Sequence, residues 1–127
     1  MFYMANSAAV TSVTVHYATA GEVTKPGIMV FEIYGAASSS VADGSVNNAT
    51  AAGTTTSTSG SLTTTNANDI LIFATDTSGN ETGWTAGVGY TIPNNSLATG
   101  ASGSDVRMAM QYKVVTTTQA GTTTTMT

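Results

Sequence analysis

The chain predicts an all-β fold: a single domain over residues 1–127, built as an antiparallel β-sandwich of Ig-like or jelly-roll-like kind with seven or eight short strands. Three observations lead there. Twenty-six of the 127 residues are threonine, a β-branched residue that fits a pleated strand. Only 8% of the residues are charged, whereas a helical domain of this size draws heavily on Glu, Lys, Arg and Leu. Short runs of alternating apolar and polar residues recur along the chain, separated by Gly, Ser, Thr and Asn, the pattern of strands joined by turns.

Each element is justified by its own pattern. In 13–17, Val13, Val15 and Tyr17 alternate with Thr14 and His16, the period of two that marks a half-buried strand. The run 28–34 is apolar on both faces apart from Glu32, which predicts a central strand covered on both sides. Residues 69–76 carry Ile70, Leu71, Ile72 and Phe73 in near-continuous succession. Residues 83–92 place Trp84, Val88, Tyr90 and Ile92 around Gly87 and Gly89. The cleanest strand is 106–114. Val106, Met108, Met110, Tyr112 and Val114 point one way, and Arg107, Ala109, Gln111 and Lys113 the other. Weaker strands are expected at 45–52, 61–65 and 122–126. The stretches 51–61 and 94–104, almost pure Thr, Ser, Ala, Gly and Asn, read as exposed loops.

Composition excludes several classes of function. Lys25, Arg107 and Lys113 are the only basic residues, and the formal net charge is −4. Nucleic-acid binding needs several cationic contacts to phosphate, and attachment to an anionic membrane needs a basic cluster. Neither is available. No apolar run approaches the roughly 20 residues of a spanning helix, so no membrane insertion is expected. Without cysteine there is no disulfide scaffold, thiolate metal site or Cys nucleophile. The opening residues, Met1-Phe2-Tyr3-Met4, read as the middle of a strand rather than a signal peptide. A mature form or an excised piece of a longer chain is therefore expected, with a sandwich incomplete at its ends.

Three stretches together resemble a known group of modules. They are Glu32-Ile33-Tyr34-Gly35, then Gly60-Ser61-Leu62-Thr63-Thr64-Thr65-Asn66-Ala67-Asn68-Asp69-Ile70-Leu71, then Gly83-Trp84-Thr85-Ala86-Gly87-Val88-Gly89-Tyr90-Thr91. The pattern resembles β-sandwich modules of bacterial extracellular proteins, which recur in adhesin-like multidomain chains and beside secreted polysaccharide-active enzymes. The motifs are structural. The resemblance implies a sandwich fold, an extracellular setting, and an adhesive or carbohydrate-associated role.

Candidate sites are few. His16 is the only histidine, too little for a His-based metal centre, and no Gly-x-Ser-x-Gly elbow accompanies it. Glu32 interrupts an apolar run. A buried carboxylate must be paired, hydrogen-bonded or protonated, and Arg107 is the expected partner in a structural pair; a glycosidase acid is the competing role for Glu32. Asp76, Ser78, Asn80 and Glu81 place oxygen ligands at near-alternate positions, as some calcium loops do, and Asp43 opens a weaker version. The same residue types also build ordinary turns. No cofactor is expected, with calcium the one candidate ion. Trp84 and Tyr90 lie on one face of one expected strand. They could stack on a sugar ring, although the only Trp of so aromatic-poor a chain also suits the core. Threonine triplets have no constant spacing, and consecutive strand residues face opposite ways, which argues against a flat ice-binding array.

The expected function is therefore a non-catalytic structural or adhesive β-sandwich module, outside the cell or on a particle surface, with carbohydrate binding as its specific form. The alternative is an assembly protein, a filament subunit or a virion surface or decoration protein completed by strand exchange. The expected partners are other copies, neighbouring domains of a parent chain, or a glycan.

Overall fold

The computed structural model describes residues 1–18, 26–46, 54–78, 83–93 and 106–127. Among them there is no helix, and no helix long and apolar enough to cross a membrane. Four strands form two small antiparallel sheets: β1 (Ser57–Thr58), β2 (Asp69–Ser78), β3 (Val106–Val115) and β4 (Thr125–Met126). The fold is all-β as expected. The seven or eight expected strands are not reached among these residues.

β2 and β3 pair over ten residues each, from Asp69 opposite Val115 to Ser78 opposite Val106. β2 opens on Ile70-Leu71-Ile72-Phe73, and β3 carries Val106, Met108, Met110, Val114 and Val115. Directly opposed residues of an antiparallel pair share a face. One face therefore carries Leu71, Phe73 and Thr75 with Gln111, Ala109 and Lys113, and the other Ile70, Ile72 and Ala74 with Val114, Tyr112 and Met110. The alternation within β3 is as expected, but burial does not follow it. Arg107, Ala109 and Gln111 are buried on one face and Met110 on the other, whereas Val114 is 67% exposed and Met108, Tyr112 and Lys113 are half-buried. The face that looked polar is buried over most of its length. It tolerates burial because Ala109 packs tightly and the Gln111 amide finds partners on the second sheet.

That second sheet is short but extended by bridges. β1 pairs with β4, Ser57 opposite Met126 and Thr58 opposite Thr125, and Leu62 opposite Thr122 continues the pairing. Between Thr58 and Leu62 lie Ser59, Gly60 and Ser61; facing them are only Thr123 and Thr124. One extra residue on one arm makes this a β-bulge, centred where Gly60 adds no side chain. Hydroxyls stitch the same ladder. Ser59 Oγ accepts from the Thr124 N–H at 2.9 Å, Thr64 Oγ1 from the Gln119 N–H at 3.0 Å, and Thr63 Oγ1 from the Gly121 N–H at 3.2 Å. β1 falls inside the expected 51–61 loop, which corrects that expectation. Without apolar alternation, only its hydroxyl and backbone pairing with 119–127 reveals it. On the other side of β4, Ala86 bridges Met126, so Met126 is flanked by two arms and fully buried. The Ser57 and Thr75 hydroxyls, 2.7 Å apart, tie the sheets together. Among the described residues the buried apolar core is Leu71, Ala109, Met110, Val115 and Met126.

The N-terminal third departs from expectation. Neither 13–17 nor 28–34 forms a strand, nor does the described part of 45–52. Phe2, Val15, Val30 and Tyr34 are among many exposed apolar side chains there. High β-propensity makes a strand permissible, but hydrogen bonds to a neighbour make it one, and the described residues offer these runs none. The period of two still governs direction: Val13, Val15 and Tyr17 line one side of an open groove closed by Pro26, Gly27 and Ile28. This arm comes close to the body at Gly27 and at Gly44. A Cβ on Gly27 would lie 2.8 Å from Met108 Sδ, and one on Gly44 would lie 2.8 Å from the Thr63 carbonyl oxygen. The approach to the Thr63 backbone is too close for any residue but glycine, whereas the flexible Met108 side chain could shift.

Asp43 fastens the arm. Its Oδ2 accepts the backbone N–H groups of Thr65 at 2.7 Å and Asn66 at 2.6 Å, and its Oδ1 accepts the Thr65 hydroxyl. Asp43 thus serves as a turn cap, where the sequence suggested the start of a weak calcium loop. The Thr65 hydroxyl first, and then the Asn66 N–H, hold its carboxyl below the ordinary value of 3.8. A carboxylate stabilised in the folded state contributes fully above its unfolded pKa, and the contribution fades as pH falls through the lowered folded value. The tether should therefore weaken below about pH 4. Hydrogen exchange at the Thr65 and Asn66 amides should accelerate there, relative to the β2 and β3 amides of the same sample. In Asp43→Asn these two amides should already exchange fast at neutral pH. Equal protection in the variant would show that the tether lies elsewhere.

Candidate functional site

The expected ligand residues Trp84 and Tyr90 lie in one segment that folds differently from the strand expected at 83–92. Thr85 and Thr127 exchange two backbone hydrogen bonds next to the Ala86–Met126 bridge. The chain then turns: the Tyr90 N–H donates to the Gly87 carbonyl at 2.9 Å, with Gly89 at φ +76°. Positive φ at the third position is the requirement of a type II turn, and glycine meets it. Beyond the turn, Thr91 and Tyr112 exchange two 2.9 Å hydrogen bonds. The segment thus leaves the β4 arm and joins the outer edge of β3. A turn stands between Trp84 and Tyr90, so the flat shared face of a single strand is not formed.

Gln111 organises this junction. Its side chain is fully buried. Oε1 accepts the Gly87 N–H at 2.7 Å, while Nε2 donates to the Thr124 hydroxyl and the Thr125 carbonyl, both at 3.0 Å. A Cβ on Gly87 would fall 2.6 Å from the Thr125 carbonyl oxygen, so only glycine lets the turn come this close. Neither Gln111 nor Thr124 was expected at a site. The signal in the sequence was an uncharged amide at the centre of the most regular strand.

The two aromatics are half-buried. Burial pushes the Tyr90 phenol up, and a hydrogen bond with the Thr124 side chain partly offsets this. Lys113 Nζ lies over the Tyr90 ring, 5.8 Å from its centre, within cation–π range. That cation occupies a ring face that a stacked sugar would need. Trp84 holds its indole N–H buried without a hydrogen-bond partner while part of the ring stays accessible.

The remaining candidates are dispersed. Glu32 is exposed rather than buried, because 28–34 is not a covered strand. Its Oε2 accepts the Tyr34 hydroxyl at 2.8 Å, and this hydrogen bond, with the nearby negative charge, raises the Tyr34 phenol. Arg107 is buried on β3 opposite Thr77, whereas Glu32 lies exposed on the arm. Of the proposed calcium ligands, Asp76 and Ser78 belong to β2 rather than to a loop, and Asp76 is exposed. Asn80 and Glu81 lie outside the described residues, as does the expected 94–104 loop. Among the described residues no three His, Cys, Asp or Glu side chains gather as a metal site. His16 is exposed on the arm.

No protein-family model matches this chain, and neither a characterised protein nor a solved structure matches it.

The Gln111 junction yields a mutational expectation. Gln111→Leu preserves volume but strands the Gly87 N–H and the Thr125 carbonyl. Each orphaned buried group costs about 1–3 kcal/mol, so the variant should lose on the order of 2–4 kcal/mol. Urea melts followed by Trp84 fluorescence would measure the loss. A midpoint equal to that of the wild type would show that the amide is not a cross-link.

Proposed function

We propose that this chain is a non-catalytic structural or adhesive β-module that works outside the cell or on a particle surface. One observation carries this reading: the buried amide and a set of hydroxyls are engaged in holding strands together. Gln111 bridges β3 to β4, Ser57 meets Thr75 between the sheets, Ser59 takes up the Thr124 N–H at the bulge, and Thr63 and Thr64 take up those of Gly121 and Gln119 beyond it. Hydroxyl and amide cross-links suit a module whose task is to keep its shape. The uncharged, hydroxyl-rich exterior and the resemblance of its 60–71 and 83–91 stretches to extracellular sandwich modules support the setting. Carbohydrate binding is its specific form, centred on the accessible part of Trp84 rather than on a Trp84–Tyr90 platform.

A second reading, an assembly subunit, is favoured by a different observation: the exposed apolar side chains of the N-terminal arm. Scattered apolar residues are normal on a surface, but a run of them marks an interaction site.

Immobilised protein screened against polysaccharides and an oligosaccharide panel tests the first reading. Binding is expected without cleavage. Trp84→Ala should weaken it about tenfold, equivalent to roughly 1.4 kcal/mol and within reach of one lost aromatic contact. Tyr90→Ala should have a smaller effect, and His16→Ala none. Release of sugar fragments would overturn the non-catalytic reading. Absence of binding to any glycan would remove the carbohydrate form and leave assembly as the function to pursue.

A further inference from the structure

We infer that residues 28–34 add as a strand to the outer edge of β2 in a second copy of this chain. The inference rests on the assembly reading and names its contact. Two unmatched halves of a sheet occur in the same molecule. The first is the arm segment. Ile28, Val30 and Tyr34 alternate with Met29, Phe31 and Ile33, so both faces are apolar, and Glu32 is the single charge. All of these except the half-buried Met29 are exposed. Such a strand is stable only when both faces are covered.

The second half is β2. It pairs with β3 along one side for ten residues, and among the described residues nothing pairs with its other side. An open edge of this length presents a row of backbone donors and acceptors that proteins normally pair, shorten or guard with charge. Its charges are limited to Asp69 near one end and Asp76 near the other. The stretch between them is apolar except for Thr75, and matches the arm segment in character.

A strand laid on this edge would set one of its rows beside Leu71 and Phe73 and the other beside Ile70 and Ile72, because side-chain rows continue from strand to strand across a sheet. Both apolar faces of 28–34 would then have neighbours. Backbone pairing supplies affinity in this mode, and alternate side chains supply register. The occupant is a second copy because each copy carries both halves, while its own arm stands off the edge, held by Gly27 at Met108 on β3 and by Asp43 at Thr65. Exchange between identical chains needs no new surface.

Light scattering over a concentration series, with hydrogen exchange on the same samples, tests the contact. The wild type should grow from monomer to dimer or larger, and β2 amides should gain protection as concentration rises. Val30→Glu places a charge in the new strand, and Val30→Pro removes a backbone donor. Because Val30 is 60% exposed, both variants should keep the wild-type far-ultraviolet circular dichroism. Both should associate at least about tenfold more weakly, a loss of roughly 1.4 kcal/mol. A wild type that stays monomeric overturns the contact and the assembly reading together. Association that survives both variants overturns the contact alone. Protection of β2 independent of concentration would mean that each arm closes on its own edge, which also overturns it.

Discussion

The buried amide of Gln111 is the constraint on which the rest of this structure depends. Removing an amide from water is unfavourable unless its donors and acceptor are satisfied. Here the acceptor holds the Gly87 turn, and the donors hold the Thr124 hydroxyl and the Thr125 carbonyl. The consequences spread outward. The turn carries the chain from the β4 arm to the edge of β3, and it sets Tyr90 beneath Lys113. The fixed β4 backbone puts Met126 between two arms, where it closes the core. An apolar residue at 111 would leave these partners unpaired, and a charged one would need a counter-ion inside the core.

Threonine here does work that other proteins assign to charged residues or to a larger apolar core. A surface ion pair is worth little in water. A half-buried hydroxyl both donates and accepts, so it can substitute for a missing backbone partner wherever a ladder is irregular. The bulge at 59–61 shows this. Where strand pairing slips by one residue, Ser59 takes up the Thr124 N–H, and beyond the Leu62–Thr122 bridge Thr63 and Thr64 take up those of Gly121 and Gln119. The small core of Leu71, Ala109, Met110, Val115 and Met126 is thereby supplemented by many weak, directional links. Each contributes modestly, about 1 kcal/mol in net terms, but together they define which residue opposes which.

The arm follows a different logic. Its apolar residues are placed outside the core, and it is anchored through Asp43 and through the close approaches at Gly27 and Gly44. Anchoring by a carboxylate on backbone N–H groups gives the arm a fixed root without burying its length. A rigid body with a rooted apolar extension is compatible with surface display and with association between copies, whereas the Gln111 junction contributes to rigidity alone.

By itself the sequence determined the elements that periodicity and length can specify. β2 was legible from its near-continuous apolar run and β3 from its long alternating one, and β4 was foreshadowed by the threonine run before Met126. Trp84 and Tyr90 could be singled out as the aromatics of one segment. Tertiary structure decided the rest. Alternation shows that two faces exist, but not which is inner: Val114 is exposed and Gln111 buried because partners for the amide come from Gly87, Thr124 and Thr125, all distant in the chain from β3's first residues. β1 had no apolar pattern to betray it, since hydroxyl pairing across more than sixty positions creates it. The segment 28–34 had the strongest strand pattern of the arm and forms no strand among the described residues, because a strand is completed by a neighbour's hydrogen bonds rather than by its own composition. Glu32 and Arg107 differ in burial for the same reason: their expected pairing presumed two adjacent strands, and among the described residues only that of Arg107 forms.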